Sequence, residues 1–110
     1  MAGPNKQDRR YWGIVPPVAA PLIAMLAKDA EDKGLEGLFS PQVIGPPWST
    51  LAVAASHTEH LKVGTGIAIA AARSPFETAM AAIDMDHISQ GRFVLGLGAR
   101  VQEWTCPLFG

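Results

Sequence analysis

The chain has a single cysteine, Cys106, among its 110 residues. No internal disulfide can form, which excludes a disulfide-stapled secreted scaffold and fits a reducing cytoplasm. Charge of either sign is scarce: 9 Lys and Arg stand against 10 Asp and Glu, for a formal net charge of −1. A nucleic-acid binder would carry a basic excess, and this chain has none. No apolar run approaches the roughly 20 residues of a membrane span; the longest, Val63 to Ala72, falls far short. Met1 to Arg10 is polar, lacks the charged start and apolar centre of a secretory signal, and reads as a flexible leader. Aromatic residues make up only 7%, yet 48% of the chain is hydrophobic. What these absences leave is one packed globular domain of modest size, over residues 11–110.

Along the chain, Tyr11 to Val15 reads as a first strand stopped by Pro16 and Pro17. Pro21 suits the first turn of a helix in which Leu22, Ile23, Leu26 and Ala30 form an apolar stripe, and Gly34 is a C-terminal stop. Leu35 to Ser40 is a short strand ended by Pro41. A loop from Gln42 to Pro47 leads to a second helix, from Trp48 or Ser49 to about Glu59, with Leu51, Ala54, Ala55 and Thr58 inward. Lys62 to Ile69 is the next strand. Ser74-Pro75-Phe76-Glu77 is a compact helix start, with serine as N-cap, proline at the first position and glutamate three residues on. Phe76, Met80, Ile83 and His87 lie on one stripe of that helix. Ser89-Gln90-Gly91 turns the chain into a last strand, Arg92 to Leu97. The order β-α-β-α-β-α-β predicts an α/β fold with a parallel sheet and outer helices.

Gly64-Thr65-Gly66 and Gly96-Leu97-Gly98 lie in or at the ends of strands. Glycine there lets backbone approach a ligand, or merely relieves crowding inside a barrel. A dinucleotide fingerprint fails at its third glycine, because Ile67-Ala68-Ile69 follows the first pair and Ala99-Arg100-Val101 the second. No Gly-Lys-Ser/Thr phosphate loop exists. His57 and His60, with Glu59 between, fall short of zinc spacing and read as solvated residues near a helix C-terminus, so no metal is expected. His87 reads as a partly buried packing residue and Cys106 as an incidental thiol. Asp84 and Asp86 read as structural or solvated. Arg73 and Arg100 each follow a strand end, where a guanidinium fork suits an anionic group; the plain alternative is pairing with Glu77 or Glu103.

LKVGTGIAIAAARSP followed by ISQGRFVLGLGARVQEW resembles the bacterial-luciferase-like superfamily of flavin- and deazaflavin-dependent oxidoreductases. EDKGLEGLFSPQ resembles the same family's first helix-to-strand junction, and the likeness runs from about Leu22 to Gly98. It is nearest the branch that uses the deazaflavin coenzyme F420. The resemblance implies the N-terminal part of a (β/α)8 TIM barrel, about four parallel strands with outer helices, with the cofactor ring at the C-terminal mouth of the strands. It implies a bulge after the third strand, often a non-proline cis peptide, that backs the ring; Gly66 and Ile67 match it. The loop lining the cofactor after the fourth strand matches Gly98, Ala99 and Arg100. Many deazaflavin members carry an acidic residue and a histidine after the second strand; Gln42-Val43 stands there instead. Gln42 and Arg73 are then residues of the substrate and cofactor mouth.

The implied function is flavin- or deazaflavin-dependent hydride transfer or monooxygenation on a small organic substrate, with coenzyme F420 or FMN. A full barrel needs about 250 residues and eight strands, and this chain supplies four at most. On its own it is expected to be inert, to hold either flavin weakly, and to self-associate through exposed sheet edges. Two other readings stay open: a catalytically inactive partial barrel that pairs with another chain, and a small Rossmann-type nucleotide-binding domain.

Overall fold

The computed structural model describes residues 11–42, 46–70 and 73–98. Along them strands and helices alternate: β1 (Trp12–Ile14), α1 (Ala20–Asp32), β2 (Gly37–Ser40), α2 (Trp48–Ser56), β3 (Lys62–Thr65), β4 (Ala68–Ile69), α3 (Pro75–Ser89), β5 (Phe93–Val94) and β6 (Leu97–Gly98). Strands β1, β2, β3 and β5 form a four-stranded sheet in that order, and β4 pairs with β6 beyond it. Every pairing is parallel. Parallel neighbours joined through helices are successive βαβ units, the repeating step of a (β/α)8 barrel. The parallel sheet with helices between its strands is what the alternation predicts, and its strand order fits the partial barrel that the resemblance implies.

Sheet and helices meet in one apolar layer. Leu38 of β2 and Val63 of β3 pack with Ile23, Ala27 and Ala30 of α1, Leu51, Ala54 and Ala55 of α2, and Met85 of α3. On the other face of the sheet, Trp12 stacks on Phe39 with ring centroids 4.5 Å apart. Gly37 makes room for this, because a Cβ there would sit 2.5 Å from the Trp12 ring. Ile14, on the same face, is 72% exposed.

The two strands expected from Lys62 to Ile69 and from Arg92 to Leu97 are each interrupted. The side chain of Thr65 takes over the ladder at that point: its Oγ1 accepts the Gly96 N–H at 2.8 Å and donates to the Gly96 carbonyl at 2.7 Å. Backbone pairing resumes one step further on, where the Ala68 N–H donates to the same carbonyl at 2.8 Å.

Two helix faces differ from the expected ones. In α1 the buried residues are Ile23, Ala27 and Ala30, while Leu22 and Leu26 are exposed. Alanines at four- and three-residue spacing after Ile23 let the helix lie close to the sheet, and the bulkier leucines fall outside that narrow contact. In α3, Thr78, Met85 and Ser89 are buried, and the stripe Phe76, Met80 and Ile83 turns outward, Phe76 being 72% exposed. His87 lies on this outer stripe and is exposed rather than partly buried. Alanines between the two stripes leave either able to face the core, and anchoring at the helix end selects the inner one. Ser89 is fully buried and its Oγ accepts the Arg92 N–H at 3.2 Å. The start of α3 is as expected, with Ser74 Oγ accepting the Glu77 N–H at 3.1 Å.

The N-terminal end of the sheet is tied by two ionised side chains, Glu31 and Arg92. The Glu31 carboxylate accepts the backbone N–H groups of Glu59, His60 and Leu61, the last two at 2.6 and 2.8 Å. Burial pulls its pKa up, but the donors His60, Glu59 and Leu61, with the charge of His60, outweigh that and hold it below the ordinary value. A carboxyl lowered on folding stabilises the fold above its unfolded pKa, about 4.3, and loses that contribution as pH falls through the folded value. Glu31→Gln is therefore expected to cost about 1.5 kcal/mol at neutral pH, the low end for charged hydrogen bonds because the group is open to solvent. Urea titrations from neutral to acid pH check this. The gap between the two proteins should close below pH 4, and a gap that stays constant would contradict it.

Candidate functional site

Of the residues singled out in the sequence, Gly66, Ile67, Gly98, Gln42 and Arg73 lie at the C-terminal ends of the strands. Where β3 gives way to β4, the Gly66–Ile67 peptide bond is cis, as the resemblance implied. The Gly66 N–H donates to the Ser40 carbonyl at 3.1 Å, and the Gln42 N–H donates to the Ile67 carbonyl at 3.3 Å. The loop after β2 and the bulge after β3 are thereby joined on both sides of that bond.

Beyond the bulge, Ile69 pairs with Gly98 in the β4–β6 ladder. The Ile67 side chain lies over Gly98, where a Cβ would run into Ile67 Cδ1. Ile67 is 37% exposed and Leu97 49%. Ile67 over Gly98 forms an apolar, open platform at the strand ends, while Leu97, one position earlier in β6, faces the other side of the strand, toward α3. Nearby, an apolar recess of about 280 Å³ is lined by Ala70, Pro75, Thr78, Ala79, Leu95 and Leu97.

Gln42 also acts through its side chain. Its Oε1 accepts the Ile69 N–H at 2.9 Å and a hydrogen of Arg73 Nη1 at 3.3 Å. The Arg73 guanidinium lies over the Trp48 ring, 5.5 Å from its centroid, within cation–π range. Arg73 thus meets Gln42 and Trp48, not Glu77, and among the described residues no ion pair includes it. Gly66, Ile67, Gln42 and Arg73 form one hydrogen-bonded group, with Gly98 against Ile67. Ala99, Arg100, Val43, Glu103 and Cys106 lie outside the described residues.

Other expected positions stay apart from this group. His57 and His60 are exposed at the opposite end of the sheet, and so are Asp84 and Asp86 on α3. Among the described residues no set of three His, Cys, Asp or Glu side chains is placed to hold a metal ion. No helix among them is long and apolar enough to cross a membrane. Trp48 and Thr65 were not singled out in the sequence. An aromatic at a helix start and a threonine between two glycines have no chemistry of their own until Arg73 and Gly96 are brought against them.

Residues 13–110 match the family model described as luciferase-like monooxygenase. The chain belongs to that family. A Mycobacterium tuberculosis protein named as a coenzyme F420-dependent oxidoreductase is 39% identical over 89 residues, which are 80% of this chain and 25% of that protein. The chain spans about a quarter of this relative's length. Among solved structures, the coenzyme F420-dependent tetrahydromethanopterin reductase of Methanopyrus kandleri superposes with a TM-score of 0.80 at 28% identity, over 90% of this chain and 29% of its own. The FMN complex of the oxygenating constituent of 3,6-diketocamphane monooxygenase, from a plasmid of Pseudomonas putida, gives 0.79 at 19% identity. It covers 92% of this chain and 32% of that one, and shares the fold. These neighbours make the architecture a partial TIM barrel and displace the Rossmann reading.

Proposed function

We propose that this chain forms one side of the ring-binding mouth of a flavin- or deazaflavin-dependent oxidoreductase, taking coenzyme F420 or FMN and a small organic substrate. The observation that carries this is the platform of Ile67 over Gly98 at the strand ends, apolar and open, with Gln42 and Arg73 at its border. A flat conjugated ring fits such a surface, since no charged side chain of the described residues interrupts it. When bound, the ring supplies the hydride or oxygen chemistry. The chain's own residues orient it: Ile67 and Gly98 back its face, and the bonds from Gln42 to Ile67 and Ile69 keep that backing in place. By the family resemblance, Ala99 and Arg100 are proposed as further cofactor-binding residues. A reducing cytoplasm as its location goes with the lone cysteine.

Phosphate loops of such barrels come from late strands, so the isolated chain is proposed to hold either flavin weakly and to be inert. Titration with F420 and with FMN, followed on the amide resonances of Ile67 and Gly98, tests the reading. Shifts confined to the platform and the residues bordering it support it, and an unperturbed platform at millimolar cofactor defeats it. Arg100→Ala is expected to weaken binding by about 1–3 kcal/mol through loss of a charge-assisted contact. An unchanged dissociation constant would take Arg100 out of the site.

A second reading, a partial barrel that works by pairing with another chain, is favoured by the exposed inner face at Ile14 and by β1 and β5 at the edges of the sheet. Unpaired edges and open apolar surface both promote association. The mass in solution separates the two readings.

A further inference from the structure

Oε1 of Gln42 is met by two donors, the Ile69 N–H at 2.9 Å and Arg73 Nη1 at 3.3 Å. An amide nitrogen cannot accept from either, so this pair of donors determines which way the amide is turned. Nε2 must then face the other way. It carries two N–H groups that meet no acceptor among the described residues. Arg73 is in a similar condition. One face of its guanidinium is covered by Trp48 and Nη1 is directed at Gln42, while Nε and Nη2 donate to nothing among the described residues. No carboxylate among those residues pairs with it. Both side chains are half-buried, so they are neither free to wander nor fully hydrated.

A guanidinium placed over an indole and braced at one nitrogen keeps its remaining donors in a planar fork, the arrangement that matches the two oxygens of a carboxylate or phosphate. The Gln42 N–H groups, on the other side of the amide from the Arg73 contact, are neutral donors at the same border and bring no competing charge. We propose that Arg73 and Gln42 form an oxyanion-binding site at the border of the mouth, which takes the carboxylate or phosphate of a small molecule. The site rests on the proposed function only for what lies next to it; its own chemistry is that of two donor groups without an acceptor among the described residues. The oxyanion belongs either to the substrate or to the tail of the cofactor.

The test uses the isotopically labelled 110-residue chain, with the Arg73 side-chain Nε–H resonance identified by its loss in R73K. Sodium benzoate and inorganic phosphate should each move that resonance along a saturable curve, and benzamide, of the same shape without the charge, should not. Q42E keeps an oxygen for Ile69 and Arg73 but replaces the free donor by a second oxygen that neutralises the guanidinium. It should weaken benzoate at least tenfold while the backbone spectrum away from the loop stays unchanged. R73K, read on the Ile69 amide, should also lose at least tenfold; if that variant fails to fold, Q42E decides. Linear shifts without saturation, or equal affinity in Q42E and the parent, would overturn the proposal.

FMN and riboflavin, which share the ring and differ by the phosphate, separate the two sources. If the site holds the cofactor's tail, R73K weakens FMN tenfold and leaves riboflavin alone. If it holds the substrate, R73K weakens benzoate and leaves both flavins alone. A chain that binds benzoate saturably and neither flavin would defeat the redox reading and leave the oxyanion site standing.

Discussion

Replacing Arg92 by alanine is expected to lower the unfolding free energy by about 3 kcal/mol or more, a large share of the 5–15 kcal/mol that holds an ordinary domain. The guanidinium donates to the carbonyls of Ser89 at 2.7 Å, Leu61 at 2.8 Å and Ala55 at 3.0 Å, and to Thr58 Oγ1 at 2.9 Å. The Ala55 carbonyl belongs to the last turn of α2 and the Ser89 carbonyl to that of α3, where helices run out of partners for their backbone acceptors. Leu61 is buried at the entry to β3. One side chain therefore closes two helix ends and a strand entry, and its removal leaves part-buried acceptors without donors. Lysine at this position keeps the charge but not the fork, and should recover only part of the loss. Equilibrium urea unfolding of the parent, R92A and R92K measures both effects. A midpoint for R92A within error of the parent would mean that water replaces the guanidinium at no cost, against the geometry.

Gly98→Val is expected to reduce affinity for the flavin ring at least tenfold, about 1.4 kcal/mol, with much less effect on folding. Any Cβ at this position meets the end of the Ile67 side chain, which can yield only by swinging away from β6 into the open mouth. The backing proposed for the ring would then be occupied by the protein's own isoleucine. The valine methyls add to the obstruction. The comparison that isolates this is Leu97→Val, a change in the same strand that faces α3 instead of Ile67 and so makes no collision at Gly98. Titration of both variants with FMN, read on the Ile69 amide, should show the loss in Gly98→Val alone. Equal affinity in the two would take Gly98 out of the site.

Much of this molecule is legible in its residues because the interactions that carry it are local. The alternation of short apolar runs with capped amphipathic stretches determines the βαβ order. The Ser74 cap is made within three residues, and the inward face of α2 follows from Leu51, Ala54 and Ala55, all buried; the helix ends at Ser56, short of the expected Glu59, and Thr58 is buried just beyond it. The glycine pairs around Thr65 and Leu97 mark the strand ends, and their order with GRFVLGLG is enough to indicate the family. What a local pattern cannot contain is the choice between equivalent faces and the meeting of distant side chains. In α3 two stripes were available, and burial of Ser89 beside Arg92 put Phe76, Met80 and Ile83 outside. In β3 the apolar run looks continuous, and only the approach of Gly96 lets Thr65 interrupt it. Gln42 and Arg73 lie 31 positions apart, and Arg92 reaches Ala55 across 37. Such contacts exist only once parallel strands bring their ends together, so the candidate site and the clamp at the far end of the sheet were decided by tertiary structure, while the fold that places them was written in the sequence.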